Sequence, residues 1–236
     1  MLEVRNLAFS YRSTPVLRDV SFVASPGEVV SVVGANGVGK TTLLRILATL
    51  ILPDGGMILQ DGVDAFARPL RYRRQLGYFS ENPALYDDMT VKEYLRYRSA
   101  LKGEPLKRIR RRVDEAVDMC RINPYSRSRI KSLSNGVRKR VALADALLLR
   151  PRLLLLDDIL SGLDRELRSQ MGEILSNAAA FSSVIITGHE FEDMAKWSTR
   201  FLVLRNGMIS GSIPTTGVSV QQLCERVDSA IKGGVL

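Results

Sequence analysis

The run Gly34-Ala35-Asn36-Gly37-Val38-Gly39-Lys40-Thr41 constrains this chain more than any other segment. It fits the pattern GxxxxGK followed by Ser or Thr without a mismatch, and its flanks matter as much as its letters. Val29 to Val33 is a strand-type run, apolar except for Ser31, and Thr41 to Leu52 carries apolar residues at helical spacing. Strand, glycine loop and helix in that order make a cradle for phosphate. The glycines let the backbone curl so that successive N–H groups face one point. The helix N-terminus adds partial positive charge, and a lysine reaches the outer oxygens. Gly34, Asn36, Gly37, Gly39, Lys40 and Thr42 are the candidate contacts, with Thr41 offering its hydroxyl to a metal ion. The plainer alternative, a glycine turn with an exposed lysine, requires neither flanking element.

A phosphate loop is completed by an acidic group that holds the metal. Leu153 to Leu156 reads as a buried strand and runs straight into Asp157 and Asp158. A carboxylate at such a strand end is costly unless it is paired or faces a cation, which makes Asp157 the candidate metal ligand. Asp158 also suits a helix cap in the following turn. Around this centre the chain alternates: a helix from about Asn135 to Leu149, a helix from about Asp164 to Ala179, and the strand Val184 to Thr187. Such alternation predicts a mostly parallel sheet covered on both faces. Leu2 to Phe9 and Val16 to Ala24 predict a strand-rich N-terminal edge. Arg200 to Arg205 and Met208 to Ile213, joined by Asn206-Gly207, predict a hairpin, with a last helix over Val218 to Lys232. Thr90 to about Cys120 is helical and charged, broken by Gly103 and Pro105, and reads as an inserted helical lobe.

At 236 residues the chain is too short for two independent domains of this kind, so a second nucleotide unit must come from another chain. The longest apolar runs fall far short of the roughly 20 residues that cross a bilayer, and the N-terminus shows no secretory pattern, which predicts a cytosolic protein. Cys120 and Cys224 have neither metal-like nor CxxC spacing and are expected as reduced thiols. The net charge of +9 is concentrated in Arg68 to Arg74, Lys107 to Arg112 and Arg127 to Lys131. Solvated faces are the first expectation for these runs, anionic lipid the second, and nucleic acid the last.

Four ordered motifs now resemble one family. Leu133-Ser134-Asn135-Gly136-Val137-Arg138-Lys139-Arg140 looks like the LSGGQ signature of ABC (ATP-binding cassette) ATPases, Ser161-Gly162-Leu163-Asp164 like their D-loop, and Gly188-His189 like their switch histidine. Tyr11 falls where the family places the aromatic that stacks on adenine. The resemblance covers nearly the whole chain. It implies an α/β phosphate-loop NTPase with a mostly parallel core, an antiparallel β edge and an inserted helical subdomain. Residues 1–84 and 151–236 would form the core lobe, and residues 85–150 the helical lobe. It implies ATP and Mg²⁺, and a head-to-tail dimer, with itself or a related chain, in which each ATP is held by one subunit's phosphate loop and the other's signature. Ser134 and Gly136 would then contact the partner's γ-phosphate, Asp164 would belong to the same interface, and His189 would sense the phosphate and orient the attacking water. Read without the family, Ser134 and Asn135 are N-caps, Tyr11 is a core aromatic and a lone histidine is structural.

Three departures stand out. Asp158 occupies the place of the family's catalytic glutamate and is shorter by about 1.5 Å, which predicts slow hydrolysis or a larger share for His189. Glu81 replaces the glutamine that links metal to helical lobe and can still offer oxygen to Mg²⁺. Asn135 and Val137 replace a glycine and a glutamine of the signature. The family further implies peripheral attachment to integral-membrane transporter subunits at the cytoplasmic face, with Pro83 to Met89 as docking surface or, for Leu85 and Tyr86, as core. The segment from Glu81 to Leu95 most resembles exporters. A soluble clamp on nucleic acid or ribosome, and a binding module without turnover, are the rival expectations.

Overall fold

A strand that is apolar at every position must be covered on both faces. The computed structural model, which describes residues 1–233, shows how. The chain runs β1 (Leu2–Tyr11), β2 (Thr14–Ala24), β3 (Val29–Val33), α1 (Lys40–Leu47), β4 (Gly55–Gln60), β5 (Val63–Asp64), α2 (Pro69–Arg73), β6 (Leu76–Phe79), α3 (Val91–Leu101) and α4 (Leu106–Met119). It continues through α5 (Asn135–Leu147), β7 (Leu153–Asp157), α6 (Arg165–Ala179), β8 (Ser183–Thr187), α7 (Phe191–Ala195), β9 (Arg200–Arg205), β10 (Met208–Pro214) and α8 (Val220–Lys232). The strands join in the order β5-β4-β1-β2-β10-β9-β3-β8-β7-β6. From β9 to β6 all pairings are parallel; β1, β2, β4 and β5 pair antiparallel. The two parts meet where Met208 of β10 pairs with Asp19 of β2.

The side-chain period of two splits the interior into two layers. Val30 and Val32, Leu153 and Leu155, Ile185, Leu202 and Leu204 pack toward α1 and the β1–β2 edge. Their alternates Val29 and Val33, Leu154 and Leu156, Val184 and Ile186, Phe201 and Val203 pack toward α5, α6 and α8. Every residue of β3, β7 and β8 is buried. The helical segment shares the second layer through Val91, Leu95, Val113 and Val117, so it is welded to the sheet by apolar contact rather than hung from a linker.

Some boundaries differ from the sequence expectation, each for a local reason. The helix expected over Thr41 to Leu52 stops at Leu47. Thr49 turns left-handed at φ 57°, the Leu50 N–H donates to the Arg45 carbonyl and the Thr49 N–H to the Ile46 carbonyl, which closes the helix and leaves Leu50 and Leu52 exposed. The short elements β4, β5, β6, α2 and α7 were not anticipated. The basic run Arg68 to Arg74 is not merely a solvated face. Tyr72 is buried and its hydroxyl donates to the Leu47 carbonyl at 2.8 Å, while Arg73 donates to the Thr49 carbonyl and hydroxyl, placing a cation at the carboxyl end of α1. The second run is solvated in part: Arg110 and Arg111 are exposed and pair along α4 with Asp114 and Glu115, whereas Arg112 is mostly covered and pairs with Glu104 and Glu115.

The helical segment is pinned by one buried carboxylate. Asp145 on α5 meets Arg98 at 3.0 Å and Lys102 at 2.8 Å, with the Tyr94 hydroxyl at 3.4 Å. Burial alone would raise its pKa; the Lys102 and Arg98 charges outweigh that and hold it below the usual carboxylate range. Removing the acid by Asp145→Ala leaves two partly buried cations without a counter-ion and is expected to cost about 3 kcal/mol in urea unfolding. Because the folded pKa is depressed, the stabilisation is complete above the unfolded pKa and is lost as pH falls through the folded one. The gap between wild type and variant should therefore close in acid, and a gap that persists there would refute this account.

Candidate functional site

The loop after β3 leaves no room for side chains at its ends. A Cβ on Gly34 would lie 2.3 Å from the Leu204 carbonyl oxygen, and Gly39 holds φ 111° with Val16 packed against it. The first turn of α1 contains no acidic residue and no capping side chain, so its N–H groups remain open to an anion. Lys40 is buried and its ammonium donates to the carbonyls of Gly34 at 2.8 Å and Ala35 at 3.1 Å. Burial lowers its pKa, with the fields of Asp158 and Asp157 acting the other way.

Across a cleft of about 390 Å³ stand the acids. Parallel pairing puts Asp157 beside Thr187, whose hydroxyl donates to Asp157 Oδ1 at 2.8 Å; the Thr41 hydroxyl donates to the same oxygen at 3.1 Å. Thr187 was not singled out from the sequence, although a polar residue ending an apolar strand next to an acidic strand end was the available signal. Burial raises the Asp157 pKa, the two hydroxyl bonds opposing it. Asp158 follows at φ 51°, a left-handed conformation that aspartate tolerates better than most residues. Its N–H donates toward Thr187, but its side-chain Oδ1 is buried and has no hydrogen-bond partner among the described residues. Asp158 therefore does not cap a helix. Burial raises its pKa, and Glu190 adds to the rise, against His189 and Lys139.

Asn36, Gly37, Thr42, Glu81 and His189 share the cleft with Lys40, Thr41 and the two aspartates, so a phosphate loop, an acidic strand end and the single histidine converge as expected. His189 is exposed at its mouth. Tyr11 does not line this cleft; it lies 46% exposed at the end of β1, edge-on to Phe9 at 4.8 Å, which removes the core alternative. Gly34, Ser134, Gly136 and Asp164 also lie outside the cleft lining. Ser134 is exposed at the head of α5 and makes no side-chain cap, so the expected capping bond is absent and its hydroxyl is free. Gly136 is buried, and a Cβ there would meet Leu167 at 2.5 Å, which gives it a packing duty within this chain. Asp164 caps α6 by accepting the Leu167 N–H at 2.8 Å.

The donor set is hard oxygen: a threonine hydroxyl and a carboxylate facing an anion cradle. That fits a divalent cation of the Mg²⁺ kind, which takes one or two carboxylates and completes its shell with phosphate oxygens and water. No group of three His, Cys, Asp or Glu side chains suited to a metal occurs among the described residues. Lys40 and open N–H groups on one wall and carboxylates on the other suit a polyphosphate whose terminal group meets water near Asp158.

Residues 17–161 match the family model described as ABC transporter. The chain is 31% identical to the uncharacterized ABC transporter ATP-binding protein YxlF of Bacillus subtilis, over 89% of this chain and 70% of that protein. It is 35% identical to the putrescine transport ATP-binding protein PotG of Escherichia coli, over 88% of this chain but 55% of that protein, so it spans about half of the longer relatives. Among solved structures, an ATP-binding subunit of an ABC transporter superposes with TM-score 0.84 at 28% identity, covering 97% of this chain and 99% of that one. The cbiO1 protein of Clostridium perfringens, part of the complex cbiONQ, gives TM-score 0.84 at 26% identity, covering 97% and 94%. The α/β phosphate-loop fold expected from the sequence is the fold of these cassettes.

The acid wall carries a strain that can be measured. A carboxyl whose folded pKa is raised favours the fold while protonated, below its unfolded pKa, and that favour is lost as pH rises through the folded value. At neutral pH the Asp158 carboxylate is a burden on the nucleotide-free fold. Asp158→Asn, which keeps the left-handed backbone, is expected to raise the melting temperature by a few degrees at neutral pH. The gain should shrink as pH falls; a lowered melting temperature would refute it.

Proposed function

Because the chain belongs to the ABC transporter family of ATP-binding proteins, we propose that it binds and hydrolyses ATP as one half of a two-nucleotide sandwich that drives integral-membrane transporter subunits. The observation that carries this reading is the split between two sets of residues. Lys40, Thr41, Asp157, Asp158 and His189 border one cleft, whereas Ser134 stands outside it with an uncommitted hydroxyl at the head of α5. A cleft that lacks its own cover, and a helix N-terminus that lacks its own ligand, complement each other in a head-to-tail pair. In this reading residues 1–84 and 151–236 form the nucleotide lobe and residues 85–150 the helical lobe.

The roles follow from position. The loop N–H groups and Lys40 hold the β and γ phosphates; Tyr11 offers an exposed aromatic face to the base; Thr41 and Asp157, with Glu81 across the cleft, would hold Mg²⁺. When bound, the cation would supply positive charge against the phosphate oxygens. Asp158 accepts a proton from the attacking water, His189 aligns that water against the γ-phosphate, and the partner's Ser134 and Asp164 region excludes bulk solvent. Closure of the pair does the mechanical work and hydrolysis resets it. No helix among the described residues is long and apolar enough to cross a membrane; in this reading, coupling to the bilayer passes through a partner at its cytoplasmic face. Leu85 and Met89 pack on the core, which leaves exposed Tyr86 and Ala84 as the docking surface of the Pro83 to Met89 segment. The polyamine and sulfate relatives are named for import or transport, which lends no support to export.

In phosphate-release assays the rate per molecule is expected to fall on dilution. Lys40→Ala should abolish turnover, and Ser134→Ala should keep ATP binding while lowering kcat by about 10²-fold. A rate indifferent to dilution and to loss of Ser134 defeats the sandwich. The short Asp158 motivates a second reading, an ATP-binding module with little turnover. Asp158→Glu is expected to raise the single-turnover rate, and no gain in that variant would show that side-chain reach is not limiting.

A further inference from the structure

Lys139 lies on α5, beyond Ser134, and is 7% exposed. Its ammonium donates to the main-chain oxygens of Ser161 at 2.5 Å and Ile159 at 3.1 Å, with that of Asp158 at 3.5 Å. Among the described residues no carboxylate pairs with it within 4 Å. A buried ammonium satisfied by carbonyls rather than by an acid is costly unless those carbonyls are fixed in place, so the cation and the turn hold each other. The turn begins at Asp158, whose left-handed backbone persists only where its surroundings enforce it, and closes through the Ser161 N–H to the Asp158 carbonyl at 3.4 Å. Gly162, just beyond, faces the Asn135 side chain. The helix that starts at Ser134 and the turn that starts at Asp158 are thus bolted together at both ends of a short gap.

We propose that Lys139 is a positioning residue that ties the Asp158 turn to α5, so that the carboxylate is held at working distance only while the signature helix is seated. Its effect on chemistry passes entirely through Asp158. In a sandwich, α5 faces the partner's nucleotide while Asp158 faces its own, so this bolt also transmits the seating of one site to the other. Burial lowers the Lys139 pKa, with Asp158, Glu190 and Glu81 acting the other way, in keeping with a cation held by field and dipoles. The inference rests on the ATPase reading above.

The test uses the full chain: wild type, Lys139→Met, Lys139→Arg, Asp158→Asn and the Asp158→Asn/Lys139→Met double variant. Single-turnover hydrolysis, ATP affinity and melting temperature are measured for each. Methionine keeps the length of the side chain and removes its donors. Lys139→Met is expected to bind ATP within about twofold of wild type and to lose about tenfold or more in rate, the scale of a small misplacement of a reacting group. Lys139→Arg should recover most of that loss. In the Asp158→Asn background Lys139→Met should bring no further loss, because the two residues act as a unit. Should Lys139→Met fail to fold, Lys139→Gln carries the same expectation with a smaller loss. A wild-type rate in the folded lysine variant, or losses that multiply in the double variant, overturn the inference. A wild type that hydrolyses nothing overturns the ATPase reading instead.

Discussion

The parallel register of β3, β7 and β8 is the constraint on which everything else depends. It pairs Asp157 with Thr187 and Val32 with Thr187 across neighbouring strands, so the carboxyl ends of β3, β7 and β8 finish at one edge. There the phosphate loop, the acid pair and Gly188-His189 meet without any residue having to reach. Ligands of open α/β sheets lie at this edge because only there do the loops face one another. The burial of these mostly apolar strands is the condition for that precision: each is buried along its full length, and a slip of one residue would exchange the two core layers.

That geometry is obtained at an electrostatic cost. Asp157 and Asp158 both stand where burial resists their charge, and Lys40 is turned back on the carbonyls of its own loop. None of these groups is paired with an opposite charge among the described residues. The charges oppose one another across a gap of the size a polyphosphate and a cation occupy, so satisfaction is deferred to the ligand. Elsewhere the chain does the opposite: Asp145 is surrounded by Arg98, Lys102 and Tyr94 and is quiet. The contrast between a compensated and an uncompensated buried acid separates architecture from site.

What could be read from the sequence follows from the same physics. β3, β7 and β8 were legible because continuous apolar runs bounded by glycine or acid have few other uses, and the hairpin was legible because Asn206 and Gly207 both adopt positive φ. The meeting of the glycine loop, Asp157 and His189 at one cleft was legible because motif and context agreed. β5 and α2 were not, being too short for any periodicity to show. The early end of α1 was hidden because a left-handed threonine is an unusual stop and tertiary contacts from Tyr72 and Arg73 support it. Ser134 was read as a cap from its residue type, but its hydroxyl is unused. Gly136 and Asp164 were read toward a partner, and each has a duty inside the chain that pattern alone does not reveal.

Lys139 was the least visible because it sits in the most recognisable segment. Among Arg138 and Arg140 it reads as one more cation of a basic run, yet the three side chains do different work. Arg138 reaches Asp87 and the Ile130 carbonyl at the helical segment, and Arg140 lies against the Arg121 carbonyl and Gln170. Only Lys139 turns toward the sheet edge. Helical geometry makes this unavoidable, since successive residues point about 100° apart and only one of them can face the Asp158 turn. One helix therefore presents its N-terminus outward while anchoring the acidic turn inward. Displacing its head with a ligand must either carry that turn along or break the Lys139 contacts to the carbonyls of Ser161, Ile159 and Asp158.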